Sequence, residues 1–233
     1  MTAHAEPILA DPEAHGGHVA HQFNSAEQQQ HSAELGMWTF LATEVMFFGA
    51  LFTVYTIYRS SYPAGFSHAS HHLLEICGGI NTAVLLTSSF TMALAVHAAR
   101  HGDRDALLRN LWFTIALGTV FLAIKAFEYS WEYHDGLVPG RFFTWVPEHE
   151  VPGMSQARVR REVELFMTLY FVMTGLHATH MIVGIGLLLT LVAMARRGRF
   201  STHYFTPVDL CGLYWHFVDL VWIFLFPLLY LIR

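Results

Sequence analysis

Glu44 makes the sharpest chemical demand on its surroundings. It stands in Thr43-Glu44-Val45-Met46-Phe47-Phe48, inside a long apolar run, with no basic residue within a helical turn. An ionisable side chain in hydrocarbon costs on the order of 2–3 kcal/mol or more, so an acid in such a run marks a place where function is to be sought. Buried away from water, the carboxyl favours its neutral form. Two roles follow: a proton-exchanging carboxyl, or a neutral acid hydrogen-bonded to a neighbouring helix or subunit.

His177 and His180 are three positions apart, which puts them on one helix face, and Gly184 continues that side. Two such imidazoles can begin a metal site. A zinc site needs a third or fourth ligand, however, and no protease-type pair of histidines with an intervening glutamate is present. The expected role is interhelical hydrogen bonding, with no metal site and no catalytic residue assigned. Haem ligation by His177, His180 or His216 is a competing possibility. Two histidines so spaced on one helix cannot reach opposite faces of one haem, which leaves a cross-helix pair such as His177 with His216.

Asp209, Gly212, His216 and Asp219 follow one another at steps of three, four and three, forming a stripe that faces protein rather than lipid. His216 and Asp219 are close enough to pair, with Trp215 and Trp222 flanking them. The stripe suits either contact with a partner subunit or lipid headgroup, or hydrogen bonding within the chain. Lys125, Glu128 and Glu132 recur at spacings of three and four, so Lys125 is expected to pair with Glu128 while reaching toward the membrane interface. Gly78, Asn81, Thr82, Ser88 and Ser89 supply small, hydrogen-bonding groups for close helix packing.

These residues lie in unusually apolar surroundings. Of the 233 residues, 54% are hydrophobic, 15% aromatic and only 13% charged, which is the balance of a lipid-facing exterior. The net charge of -5 offers no basic patch for nucleic acid. Crossing about 30 Å of hydrocarbon takes roughly 20 helical residues. Five runs qualify: Leu35 to Tyr58, Leu73 to Ala99, Leu108 to Trp131, Leu165 to Ala195 and Phe205 to Ile232. They are continuously apolar rather than alternating, so the expected fold is all-α: a polytopic membrane protein with a five-transmembrane-helix bundle over residues 35–233.

Tyr62-Pro63-Ala64-Gly65, His101-Gly102-Asp103-Arg104-Asp105 and Arg196-Arg197-Gly198-Arg199 read as loops, as does the long stretch from Glu132 to Glu162. Residues 1–34 hold His4, His15, His18, His21 and His31 and are expected to be a flexible polar tail; a proton-buffering or metal-scavenging surface is the alternative. That tail has no Lys or Arg and no short apolar core, so no signal peptide is expected. Cys77 and Cys211 fall in apolar runs and behave as small hydrophobes. Arg100, Arg104, Arg109, Arg196, Arg197 and Arg199 are concentrated in and beside two short loops, which leans toward a cytoplasmic N-terminus.

Several motifs together resemble one family. Gly36-Met37-Trp38-Thr39-Phe40 leading to Glu44-Val45-Met46-Phe47-Phe48, then Asn81-Thr82-Ala83-Val84-Leu85-Leu86, Lys125-Ala126-Phe127-Glu128-Tyr129 and Thr174-Gly175-Leu176-His177-Ala178-Thr179-His180 resemble successive helices of cytochrome c oxidase subunit III. Tyr214-Trp215-His216-Phe217-Val218-Asp219-Leu220-Val221-Trp222 is the most specific of them. The resemblance runs from Leu35 onward and matches the short, five-helix bacterial form, without the first two helices of longer members. Many relatives carry a neutral residue at the position of Lys125.

The resemblance implies an accessory subunit III of a proton-translocating haem-copper terminal oxidase, of aa3 type, in a bacterial plasma membrane. Such a subunit holds no haem or copper, packs against the catalytic subunit I that does, binds phospholipid, supports proton uptake and protects the active site during turnover. Glu44 matches the carbodiimide-reactive carboxyl of the family. Glu128, His177, His180, Trp215, His216, Asp219 and Trp222 become candidates for lipid or subunit contact. Service in a quinol oxidase or nitric oxide reductase remains open.

Overall fold

A computed structural model describes residues 22–147, 154–202 and 204–232 of the chain. Its helices are α1 (Ala26–Ser61), α2 (Pro63–Ser70), α3 (Glu75–Arg100), α4 (Arg104–His134), α5 (Gln156–Arg196) and α6 (Thr206–Tyr230), with a 3₁₀ turn at Gly140–Phe142 and no strand among the described residues. All but α2 are long and apolar enough to cross a membrane, which makes the protein a multi-pass membrane bundle.

Three boundaries differ from the sequence expectation. Helix α1 starts nine residues before the apolar run, at Ala26, where the Ser25 side chain accepts a hydrogen bond from the backbone of Gln28 and satisfies an otherwise unpaired N–H. Residues 26–34 are therefore helix rather than tail, and His31 lies on it within 3.8 Å of both Glu27 and Glu34. His4, His15, His18 and His21 lie outside the described residues. Helix α2 replaces the loop expected at Tyr62–Gly65: Pro63 stands at its first turn, where the missing N–H costs nothing, and Phe66 and Ala69 are fully buried. Helix α5 runs 41 residues, a length of about 60 Å, so it continues well past the lipid and offers α2 a surface to pack on.

Four helices close into a ring, with α3 against α4, α4 against α5, α5 against α6 and α6 against α3. Glycines set the close approaches. A methyl group on Gly118 of α4 would come within 2.8 Å of the Trp215 ring, and one on Gly184 of α5 within 3.0 Å of it, so the indole fills a slot made by two missing side chains. Helix α1 leans on α6 and, more lightly, on α5. Only 17% of its apolar stretch is buried inside the chain, against 56% for α6. The Tyr55 hydroxyl donates to the Leu228 carbonyl, pinning α1 to one of the unpaired carbonyls at the end of α6.

Candidate functional site

Helix α1 carries Glu44 to the side of the ring where α5 presents His180. The Glu44 Oε2 lies 3.1 Å from His180 Nε2, and both side chains are 19% exposed. Sequence alone offered Glu44 no partner because this one is 136 residues away. Phe48 meets the imidazole edge-on at 5.4 Å, and the Tyr214 hydroxyl of α6 donates to the His180 backbone carbonyl, tying down the turn of α5 that carries the ring.

The proton inventory of the pair follows from its second hydrogen bond. His180 Nδ1 is 2.9 Å from the Leu176 carbonyl, an atom that can only accept, so Nδ1 carries a hydrogen. The Nε2–Oε2 contact then holds one proton. It sits on the acid, giving a neutral carboxyl and imidazole, or on the ring, giving carboxylate and imidazolium. The pair is electrically neutral either way, which is what makes transfer affordable where dielectric screening is weak.

His177, one turn away, is placed quite differently. It is 1% exposed, packed against Phe121 at 5.4 Å and Trp222 at 5.3 Å between ring centroids, and neither nitrogen has a hydrogen-bond partner. His216 is half-buried and its Nδ1 is 2.6 Å from the Ser89 hydroxyl of α3. These two histidines therefore turn to different neighbours, and aromatic rings close on His177 where a porphyrin would have to lie; the donor set does not fit haem. Among the described residues no three His, Cys, Asp or Glu side chains gather as a metal site would require.

Other expectations need correction. Asp219 does not pair with His216: its oxygens make no hydrogen bond of ordinary geometry, and Ser89, already bonded to His216, is the polar group beside it. The intervening hydroxyl takes the contact that an i, i+3 spacing alone would suggest. Trp215 and Trp222 are fully buried within the chain, each donating its indole N–H at 3.1 Å, to Ser88 and Thr82 of α3. With Glu128, His177 and Asp219 also buried, His180 and His216 alone of the seven candidates retain surface for a lipid or subunit.

Lys125 pairs with Glu128 at 3.0 Å as expected, yet it is 3% exposed and does not reach the interface. Two tyrosines that the sequence did not single out hold it inside: its ammonium donates to Tyr170 at 2.8 Å and Tyr230 at 2.9 Å. Tyr230 closes α6 and Tyr170 lies well inside α5; in an apolar run, tyrosine ordinarily signals the aromatic belt.

Comparison with known proteins places this architecture. The cytochrome c oxidase subunit III family profile matches residues 15–149 and 156–232. This chain belongs to the cytochrome c oxidase subunit III family. A cytochrome c oxidase subunit 3 of a Synechocystis species is 33% identical to it over 84% of this chain and 74% of the relative. One from Corynebacterium diphtheriae is 29% identical over 92% of this chain and 95% of its own length. A probable quinol oxidase subunit 3 of Staphylococcus haemolyticus is 28% identical over 92% and 97% of the two chains. As a subunit III of the haem-copper oxidase family, the chain is one component of a multi-subunit respiratory oxidoreductase. Its Glu44 and His180 lie on α1 and α5, at the contact between those two helices.

Proposed function

We propose that this chain is the accessory, redox-inactive subunit III of a bacterial aa3-type cytochrome c oxidase, and that Glu44 and His180 exchange protons in support of uptake by the catalytic subunit. The carrying observation is the carboxyl–imidazole hydrogen bond at 3.1 Å in a partly exposed site within the apolar spans. A pair that holds one proton in two positions moves it between acid and ring without creating net charge, and its partial exposure provides a route by which release of that proton is balanced by uptake of another.

Helix α1 presents Val45, Met46 and Phe47 outward beside Glu44, a surface suited to phospholipid chains and to the apolar flank of subunit I. Haem and copper belong to that partner. The complex sits in the plasma membrane with the N-terminus of this chain in the cytoplasm. Service to a quinol oxidase is the second reading, favoured by the names of the staphylococcal relatives.

The test is made on the purified intact complex, whose haem types and electron donor are identified first. Glu44→Gln and His180→Gln are then expected to slow proton uptake during turnover severalfold with haem content unchanged. Uptake at the original rate in both variants would refute the role of the pair, and haem travelling with the isolated chain would refute the accessory role.

A further inference from the structure

A second group of ionisable side chains, buried around Lys125, lies where α4, α5 and α6 meet. Its hydrogen bonds can be counted. The Lys125 ammonium spends its three donors on Glu128 Oε2 at 3.0 Å, Tyr170 at 2.8 Å and Tyr230 at 2.9 Å. Tyr230 in turn donates to Glu128 Oε1 at 2.6 Å. Both Glu128 oxygens therefore accept, as a carboxylate's do, and Lys125 with Glu128 forms a closed, neutral pair.

Glu132 stands one turn further along α4, 2% exposed, with neither oxygen in a hydrogen bond of ordinary geometry. It feels the Lys125 ammonium, but that cation's donors are committed. Among the described residues, the other groups facing it supply no second cation. Glu128 and Asp135 are acidic, Cys77 approaches Lys125 from α3 as a thiol, and His177 is enclosed by Phe121 and Trp222 with neither nitrogen hydrogen-bonded. Tyr170 is the hydrogen-bonding group in reach of Glu132. Its oxygen accepts from Lys125, and its own hydrogen has two acceptors within reach, the Tyr230 oxygen at a long 3.5 Å and the Glu132 carboxyl. Two carboxyls, one ammonium and a buried site balance in charge only if one carboxyl keeps a hydrogen.

We propose that this cluster is a proton-binding site separate from Glu44, in which Glu132 holds one exchangeable proton and Tyr170 and Tyr230 link it through Lys125 to Glu128. Glu132 lies two residues from the end of α4, so the proton is taken up and released at the membrane surface opposite the N-terminus.

Infrared difference spectroscopy on the assembled oxidase tests this through the C=O stretch of protonated carboxyls. The intact complex is expected to show a band that shifts on transfer to D2O and disappears in Glu132→Gln, but survives in Glu44→Gln. Lys125→Gln removes the cluster's ammonium and leaves two acids to be neutralised, so the same band is expected to gain about a second carboxyl's intensity, a direction that misfolding does not mimic. A spectrum unchanged in Glu132→Gln, a band indifferent to D2O, or no gain in Lys125→Gln would each overturn the proposal. Haem content equal to that of the unaltered complex confirms that the variants are compared as assembled enzymes.

Discussion

A carboxyl that shares its proton with an imidazole is reactive in a way that a permanently ionised one is not. Lipid-soluble carbodiimides add to protonated carboxyls, and the arrangement of the Glu44–His180 pair with the shared proton on the acid presents such a carboxyl at a partly exposed site in an apolar setting. Labelling of the assembled complex is expected to concentrate on Glu44 and to vanish in Glu44→Gln, as read by mass spectrometry of the modified peptide. Modification confined to loop carboxylates would show the pair locked as carboxylate and imidazolium or sealed by a neighbouring subunit. At this scale the sequence exposed the acid and hid its partner. An unpaired glutamate in an apolar run is visible to a reader of one helix, whereas His180 comes from a helix that the chain reaches only after two more crossings. The same limit applies to Lys125, whose i, i+3 partner was legible and whose tyrosines on α5 and α6 were not.

Between helices, stability turns on the slot that Trp215 occupies. Adding a methyl group at Gly118 or Gly184 brings it to 2.8 or 3.0 Å from the indole, and Gly118→Ala or Gly184→Ala is expected to cost about 1–3 kcal/mol through overpacking. Thermal unfolding of the complex, with assembly yield, measures the loss. Pairing Gly118→Ala with Trp215→Phe should give less than the sum of the two, because the smaller ring vacates the contested space; strict additivity would show that the slot is not what couples them. The five spans were legible because continuous apolarity over a membrane's width has few other causes. Their inward faces were not. In a soluble helix the apolar stripe marks the core, but here lipid-facing and protein-facing sides are both apolar, so Trp215 and Trp222 read as surface candidates while being fully buried. Helix α2 was hidden for another reason. Pro63 and Gly65 are turn signals locally, and only tertiary packing explains them: a side chain on Gly65 would collide with Glu162 of α5 at 2.3 Å.

For the molecule as a whole, the bundle fixes which loops share a side without fixing which side faces the cell. Five spanning helices place the start of α1, the α3–α4 turn and the α5–α6 connection together, with the ends of α1 and α4 opposite. Arg100, Arg104, Arg196, Arg197 and Arg199 thus gather at one end of the bundle. They are partly committed there: Arg100 pairs with Asp209 at 3.1 Å, and Arg104 donates to the Ala195 carbonyl at 2.9 Å and to that of Arg196, satisfying the end of α5. Structural use does not cancel their influence on insertion, which depends on positive charge in short loops as the chain enters the membrane. The opposing arginines fall mainly in and beside the long α4–α5 connection, where that influence is weaker. The arginine-rich end is therefore expected to face the cytoplasm together with the N-terminus. Single cysteines at Arg197→Cys and Arg141→Cys, in a chain whose Cys77 and Cys211 have been replaced, report this directly, since both positions are exposed and lie at opposite ends. A membrane-impermeant maleimide applied to intact cells should modify Arg141→Cys and spare Arg197→Cys until the membrane is opened. The reverse pattern would place Glu132 on the cytoplasmic side, and its proton would then be drawn from the compartment that feeds proton uptake rather than from the one opposite.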